Sequence, residues 1–181
     1  RRVDRVETTP PLVFLPATFV AVISTYVLHF SMARVSYTAM PCKSALNRVR
    51  GMPFAWSLNP YRGCTHGCHY CYARATHTHL GLDTGLDFTQ RIFVKSNVVD
   101  VLRGELAARS WRREEVAIGT ATDPYQPGEG RFALMPGVLQ AFGDFRSPIS
   151  LVTKSTLVWR DREKLASLQE VAGARVNFTI T

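Results

Sequence analysis

Low-complexity tracts, collagen-like repeats and runs of like charge are all missing from this 181-residue sequence. Their absence excludes a disordered or fibrous chain and leaves ordinary globular composition, 46% hydrophobic and 20% charged. Cysteine is scarce: four residues are too few for a disulfide scaffold. A chain of this length buries roughly 70% of its unfolded surface, so neither a disulfide nor a metal is needed merely to fold it. Net charge is +8, yet the basic residues are scattered and none of their runs resembles a nucleic-acid-binding arm. Carboxylates are absent altogether between Glu7 and Asp83, an interval that contains Arg34, Lys43, Arg48, Arg50, Arg62 and Arg74. Such surroundings read either as a solvated basic face or as an environment that favours thiolate over thiol and suits a net-negative metal centre.

One long apolar run is present, Pro11 to Phe30, preceded by Arg1, Arg2 and Arg5. Its length of about 20 residues makes it a transmembrane or signal candidate. Pro11 and Pro16 interrupt it, Thr18, Ser24, Thr25 and His29 dilute it, and no Met opens the chain. Residues 1–40 are therefore read as an apolar segment, poorly ordered or upstream of the true start, with no membrane contact expected. The rest is expected in the cytoplasm.

From residue 54 onward strand-type runs alternate with amphipathic helical stretches. Strands are expected at Phe54 to Leu58, Arg91 to Lys95, Val116 to Thr122, Ile149 to Lys154 and Arg175 to Thr181. Helices are expected over Asn97 to Arg109, with Asn97 and Asp100 as a capping pair, over Pro136 to Gly143, and from an Asp161 cap to Gly173. Strands separated by helices imply βαβ units, hence an α/β fold with a parallel sheet or (β/α) barrel. Ending on a strand predicts a partial TIM-like barrel, truncated after about four βα units, over residues 41–181.

The most informative stretch is Asn59-Pro60-Tyr61-Arg62-Gly63-Cys64-Thr65-His66-Gly67-Cys68-His69-Tyr70-Cys71. Thiolates spaced C-x3-C-x2-C, on a loop loosened by Gly63 and Gly67, can converge on one soft metal site. Three cysteines leave two chemistries open. A structural zinc site needs a fourth ligand, which His66, His69, His77 or His79 could supply in a zinc-stabilised nucleic-acid-binding module. An iron–sulfur cubane held by three thiolates keeps one iron vacant for a small molecule. A c-type haem is excluded by Tyr72 standing where its histidine should follow the last cysteine. Cys42 lies outside the motif and reads as a small buried hydrophobe.

With an aromatic just before its last cysteine, this loop resembles the signature of the radical S-adenosylmethionine (radical SAM) superfamily. The string NPYRGCTHGCHYCYAR, followed by GTATDPYQP with Glu129 and then TKS, resembles more narrowly the branch of spore photoproduct lyase and DNA repair photolyase-like proteins. The resemblance covers about residues 42–181. It implies a [4Fe–4S] cluster held by Cys64, Cys68 and Cys71, with SAM chelating the fourth iron. One-electron reduction, by a donor such as flavodoxin or ferredoxin, would cleave SAM to methionine and a 5′-deoxyadenosyl radical that abstracts hydrogen from a substrate. DNA is the substrate suggested by the narrower branch.

By the same resemblance Tyr70 lies near the adenine, the alternative being a ring packed in the core. Gly119 lets a ligand approach the backbone, and Thr120, Thr122 and Asp123 bind the methionine end of SAM. Lys154 pairs with its carboxylate. The competing readings are a plain turn at Asp123-Pro124 and a solvated Lys154. Glu129 matches the pattern without an evident role. Met135-Pro136 departs from it, standing where a Thr-Arg pair would open the helix, and Asn177, Thr179 and Thr181 begin a further layer. In a barrel these loops would face one mouth, at the C-terminal ends of the strands.

Overall fold

The computed structural model describes residues 34–180. The Pro11 to Phe30 run and Thr181 lie outside the described residues. No helix among the described residues is long and apolar enough to cross a membrane.

Among the described residues eight strands form two sheets in a mixed α/β arrangement. The larger has five strands in the order β2 (Leu46–Arg48), β3 (Trp56–Leu58), β6 (Val116–Ile118), β7 (Ile149–Thr153), β8 (Ala174–Phe178). Strands β3, β6, β7 and β8 run parallel, and β2 pairs antiparallel with β3. The register aligns Leu58, Ile118, Leu151 and Val176 in one row across the sheet. Because side chains alternate along a strand, that row and the Val116–Ile149 row share one face. Against it pack α2 (Val98–Ala107), α4 (Leu134–Asp144) and α5 (Arg162–Val171), through Leu102, Leu106, Met135, Leu139, Phe142 and Leu168. Each fully buried aliphatic there contributes about 1.5–3 kcal/mol of transfer free energy. The opposite face carries Ser57, Ala117 and Ser150, small residues that leave room for other groups.

The smaller sheet corrects the expectation for Arg91 to Lys95. Strand β5 (Arg91–Val94) does not join the main sheet. It pairs parallel with β1 (Ser36–Ala39) and antiparallel with β4 (Tyr61–Arg62), around a core of Tyr61, Ile92 and Val94. Strand β3 consequently pairs directly with β6, and the cysteine loop, the 3-10 helix Tyr72–Leu80, α1 (Leu86–Gln90) and β5 form an excursion between them.

Two expected caps do other work. Asn97 makes no cap bond: its Nδ2 donates to Cys42 O (3.0 Å) and its Oδ1 accepts from Cys42 N (2.8 Å), fastening the chain ahead of β2. Asp161 accepts from the Tyr125 hydroxyl (3.0 Å) and from Arg160 (2.8 Å) instead of from its own helix. Pro136 is the third residue of α4, not its opening, and the helix runs past Gly143 to Asp144. Its N-terminus is capped by Glu129, in α3 (Glu129–Phe132), whose carboxylate accepts from Leu134 N (3.0 Å) and Met135 N (2.9 Å). Arg160 neutralises this fully buried carboxylate at 2.7 Å, and the Tyr61 hydroxyl donates to it, which gives Glu129 a structural role. Cys42 packs at the margin of the main core.

Candidate functional site

The cysteine loop leaves β4 through Gly63, whose φ is +80°. A Cβ there would stand 2.9 Å from Phe88 O and 3.0 Å from Arg91 O, so only glycine lets the loop lie this close to α1 and β5. Cys64 N donates to Phe88 O (2.9 Å), and successive turns bond Gly67 N to Cys64 O and Cys71 N to Cys68 O. Arg74 holds the loop from beneath, donating to Gly67 O (2.6 Å), Cys68 O (3.0 Å), Thr84 O (3.1 Å) and Gly85 O (3.2 Å). Its guanidinium thus serves backbone carbonyls.

Gln126 fastens the loop from the other side. Fully buried, it donates to Gly63 O and accepts from Thr65 N, both at 3.1 Å, and so grips the residues flanking Cys64. Asn59 reciprocates, its Oδ1 accepting from Ala121 N (2.9 Å) and Thr122 N (3.3 Å). Each of the two motif strings, NPYRGC and GTATDPYQP, is therefore locked by an amide side chain of the other.

A cleft of about 170 Å³ opens where these segments meet. Cys64, Cys68, Cys71, Tyr70, the segment Gly119 to Asp123, and Lys154 all line it, together with His66, Tyr72, Val152, Thr153 and Thr179. The parallel order β3-β6-β7 explains the convergence, since the chain after each of these strands emerges at the same edge of the sheet. Of the expected outlying residues, Glu129 serves the helix instead, and Asn177 bonds along β7 to Ser150 and Leu151.

The structure gives four of these residues definite local contacts. Gly119 (φ +88°) lines the cleft and also serves packing. A Cβ there would sit 2.3 Å from Val152 O and 2.8 Å from Pro124 Cδ, so the close approach of the β6 and β7 ends requires glycine at this position. Tyr70 is 68% exposed, which overturns the core-ring alternative. Lys154 is not simply solvated: its Nζ donates to the Tyr70 hydroxyl (2.7 Å) and lies 5.3 Å from that ring's centre. Asp123 is no plain turn residue. Its buried carboxylate accepts from Thr153 Oγ1 (2.7 Å), Lys154 N (2.7 Å) and Tyr125 N (2.9 Å), tying the loop after β6 to the end of β7. Burial pushes that carboxyl up, but His66 and these donors together hold it below the usual range. Thr120 O accepts from the Tyr72 hydroxyl (2.6 Å), and Thr122 donates to Tyr61 O (3.2 Å).

The expectation of thiolates in acid-free surroundings is corrected as well. Burial raises the Cys64 thiol to about 11, only partly offset by the Asp123 and His66 backbone N–H groups, and the Asp123 charge raises it further. The stretch lacks carboxylates in sequence, but the fold brings one to it from the loop after β6. Metal binding at Cys64 must therefore displace a proton.

The donor set tests what the cleft could hold. Three sulfurs and no other soft ligand suit a thiolate-bound centre. Among the described residues no group of three or more His, Cys, Asp or Glu side chains is drawn together to hold a single metal ion. Of His66, His69, His77 and His79, only His66 lines the cleft, its Nε2 3.2 Å from Asp123. His77 is buried, with Nε2 3.3 Å from Arg91 O.

The family model of the Radical SAM superfamily matches residues 58–181, spanning the cysteine loop and every strand from β4 to β8. The chain belongs to the radical SAM superfamily. This is a superfamily of enzymes that typically use a [4Fe–4S] cluster with SAM. An uncharacterized protein of Mycobacterium tuberculosis and one of Mycobacterium bovis are each 50% identical to the chain over 135 residues, 73% of this chain and 40% of theirs. An uncharacterized protein of Methanocaldococcus jannaschii is 24% identical over 146 residues, 80% of this chain and 53% of its own. The chain thus spans about two fifths of the length of its mycobacterial relatives. No solved structure matches.

Gln126, Asn59 and Arg74 are the site residues that sequence reasoning passed over. Gln126 and Asn59 stand inside the motif strings and Arg74 three residues beyond the last cysteine, and a buried amide beside a glycine-rich loop was the available signal.

Proposed function

We propose that residues 41–181 form the cluster-binding part of a radical SAM enzyme, with β3, β6, β7 and β8 the first strands of a partial TIM-like (β/α) barrel. Cys64, Cys68 and Cys71 hold the [4Fe–4S] cluster. The chemistry such a cluster supplies when bound is a single electron, which cleaves SAM to methionine and a 5′-deoxyadenosyl radical for hydrogen abstraction. The observation that supports this reading is the single cleft shared by the three motif cysteines, Tyr70, the Gly119 to Asp123 segment and Lys154.

The protein's own groups have definite tasks in that cleft. Gln126 and Arg74 hold the backbone on either side of the cysteines, which lowers the ordering cost of bringing the thiols onto a ligand. Asp123 keeps a negative charge at the wall, suited to the ammonium of a SAM methionine moiety, while its hydrogen bonds fix the backbone of Lys154. Thr120 and Thr122 border the same wall. Lys154, steadied by Tyr70, offers a positive charge to a carboxylate, and Tyr70 offers an exposed aromatic face to a nucleobase.

Within this reading the finer assignment is the spore photoproduct lyase-like branch, acting on a DNA lesion in the cytoplasm with a flavodoxin or ferredoxin as reductant. The two motif strings and the net charge of +8 support it. Iron, sulfide and zinc contents of anaerobically purified protein test the primary reading, with low-temperature EPR after reduction, with and without SAM. About four irons per chain, lost on Cys64→Ala, and a signal altered by SAM are expected. Stoichiometric zinc without iron would replace it with a zinc-stabilised nucleic-acid-binding module, His66 being the histidine beside the thiols. Stimulation of 5′-deoxyadenosine formation by damaged DNA tests the finer assignment.

A further inference from the structure

A second cavity, of about 250 Å³, lies beyond the wall formed by Ala121 and Thr122, which border both it and the cysteine cleft. Its other lining residues come from β2, β3, the turn after β3, β4, the 3-10 helix after the cysteines and the chain just after β5. Ser57 lines it, so the cavity opens on the face of the main sheet turned away from the helices.

Its charge is one-sided. Lys95, Arg62 and His79 line it, and no carboxylate does. Lys95 is only 6% exposed. Among the described residues no carboxylate oxygen lies within 4.0 Å of its ammonium, and its Nζ makes no hydrogen bond. Glu105 is the nearest acidic influence on Lys95, but its oxygens are taken by Ser44 Oγ (2.6 Å), Ala45 N and Leu46 N (2.8 Å). Burial holds the Lys95 ammonium below the ordinary lysine range; Cys42 opposes that shift, Arg62 adds to it by less, and Glu105 opposes it least. A buried ammonium without a counter-ion is costly, and an anionic ligand is what relieves it.

We propose that this cavity binds a phosphate-type oxyanion carried by the substrate, with Lys95 as its buried anchor and Arg62 and His79 at the mouth. A group of charge near −2 matches this lining better than a single carboxylate does. Ser57 and Asn47 supply neutral hydrogen-bonding groups beside it. The shared wall would set the anion next to the cysteine cleft, with the reacting part of the substrate reaching across Ala121 and Thr122. Calling the anion part of the substrate rests on the radical SAM reading; the anion site itself does not.

Binding of inorganic phosphate, a nucleoside 5′-monophosphate and the matching nucleoside to the full 181-residue chain would be measured by isothermal titration calorimetry. Iron content is read on the same preparation, so that loss of the cluster and loss of the anion site are told apart. Expected is saturable one-to-one binding of phosphate, weakened about tenfold or more by Lys95→Met. Arg62 is exposed, so Arg62→Gln is a second variant that spares the fold, and it should weaken binding severalfold. Arg103→Gln, on the helix side, should change nothing. Tighter binding of the monophosphate than of free phosphate would identify a phosphate ester as the ligand, and equal binding the free ion; both support the anion site. Absence of saturable phosphate binding, binding insensitive to both Lys95→Met and Arg62→Gln, or equal affinity for nucleoside and monophosphate would overturn it. Displacement of phosphate by SAM would assign the cavity to the cofactor and overturn its role toward the substrate.

Discussion

Replacing Gln126 by leucine asks whether the cysteine loop is held by the fold or only by what it binds. The side chain is fully buried and makes two hydrogen bonds at 3.1 Å, to Gly63 O and from Thr65 N. Leucine matches its bulk but leaves both backbone groups without a partner. One lost hydrogen bond costs about 0.5–1.5 kcal/mol net, and a buried polar group left unsatisfied costs about 1–3 kcal/mol. Thr65 is only partly buried and water can reach it, so the total falls at about 2–4 kcal/mol. In a chain of this size that lowers Tm by about 4–16 °C. Because the two bonds flank Cys64, the loss should fall on iron retention as well as on stability. Leu168→Ala, in α5 and remote from the loop, is the control: it removes about 2–5 kcal/mol by cavity formation and should leave iron per folded chain unchanged. Gln126→Glu keeps the acceptor for Thr65 N and should fall between wild type and Gln126→Leu. The assay is Tm by circular dichroism beside iron per folded chain after anaerobic reconstitution. A Gln126→Leu protein with wild-type Tm and full iron would refute the reasoning.

Two further outcomes follow from the same geometry. In metal-free protein at pH 8, a Cys64 thiol near 11 is thiolate in about one molecule per thousand, against about a quarter for an ordinary cysteine, so its alkylation should be about 100-fold slower or more. The rate should rise about tenfold per pH unit up to that value, and peptide mass spectrometry after timed iodoacetamide treatment reads it; modification at the rate of a model thiol would contradict the burial argument. Gly119→Ala should destabilise by more than about 2 kcal/mol in denaturant unfolding, since its Cβ meets Val152 O at 2.3 Å and the φ of +88° disfavours any side chain.

Much of the main sheet was legible because its strands carry buried apolar residues at period two between amphipathic helices. Val116, Ile118, Ile149 and Leu151 announce β6 and β7 in this way. The smaller sheet was not legible: β1 and β4 are four and two residues long, and the partners of Arg91–Val94 are decided by tertiary contact, not local pattern. Both acidic and amide caps were misjudged for a related reason. Asn97 and Asp161 satisfy the sequence rule for a helix start, yet each has a stronger buried demand elsewhere, at Cys42 and at Tyr125 with Arg160.

Electrostatics around the cysteines shows most clearly where linear reasoning stops. Counting charges along residues 8–82 gives a basic environment, and the arginines in it would be expected to stabilise thiolates. Folding reverses the balance at Cys64 chiefly by burying the thiol, and two contacts complete the reversal. Arg74 spends its guanidinium on four backbone carbonyls, and Asp123, more than fifty residues downstream, comes beside the thiol together with its partners Thr153 and Lys154 N. The result is a protonated, shielded Cys64 thiol, which a metal centre can claim only by displacing its proton. A site built this way resists adventitious modification at its deepest cysteine. It also binds a thiolate-ligated centre more readily as pH rises toward the thiol's own value. Its loop backbone is held by Gln126, Asn59 and Arg74 independently of what the thiols bind.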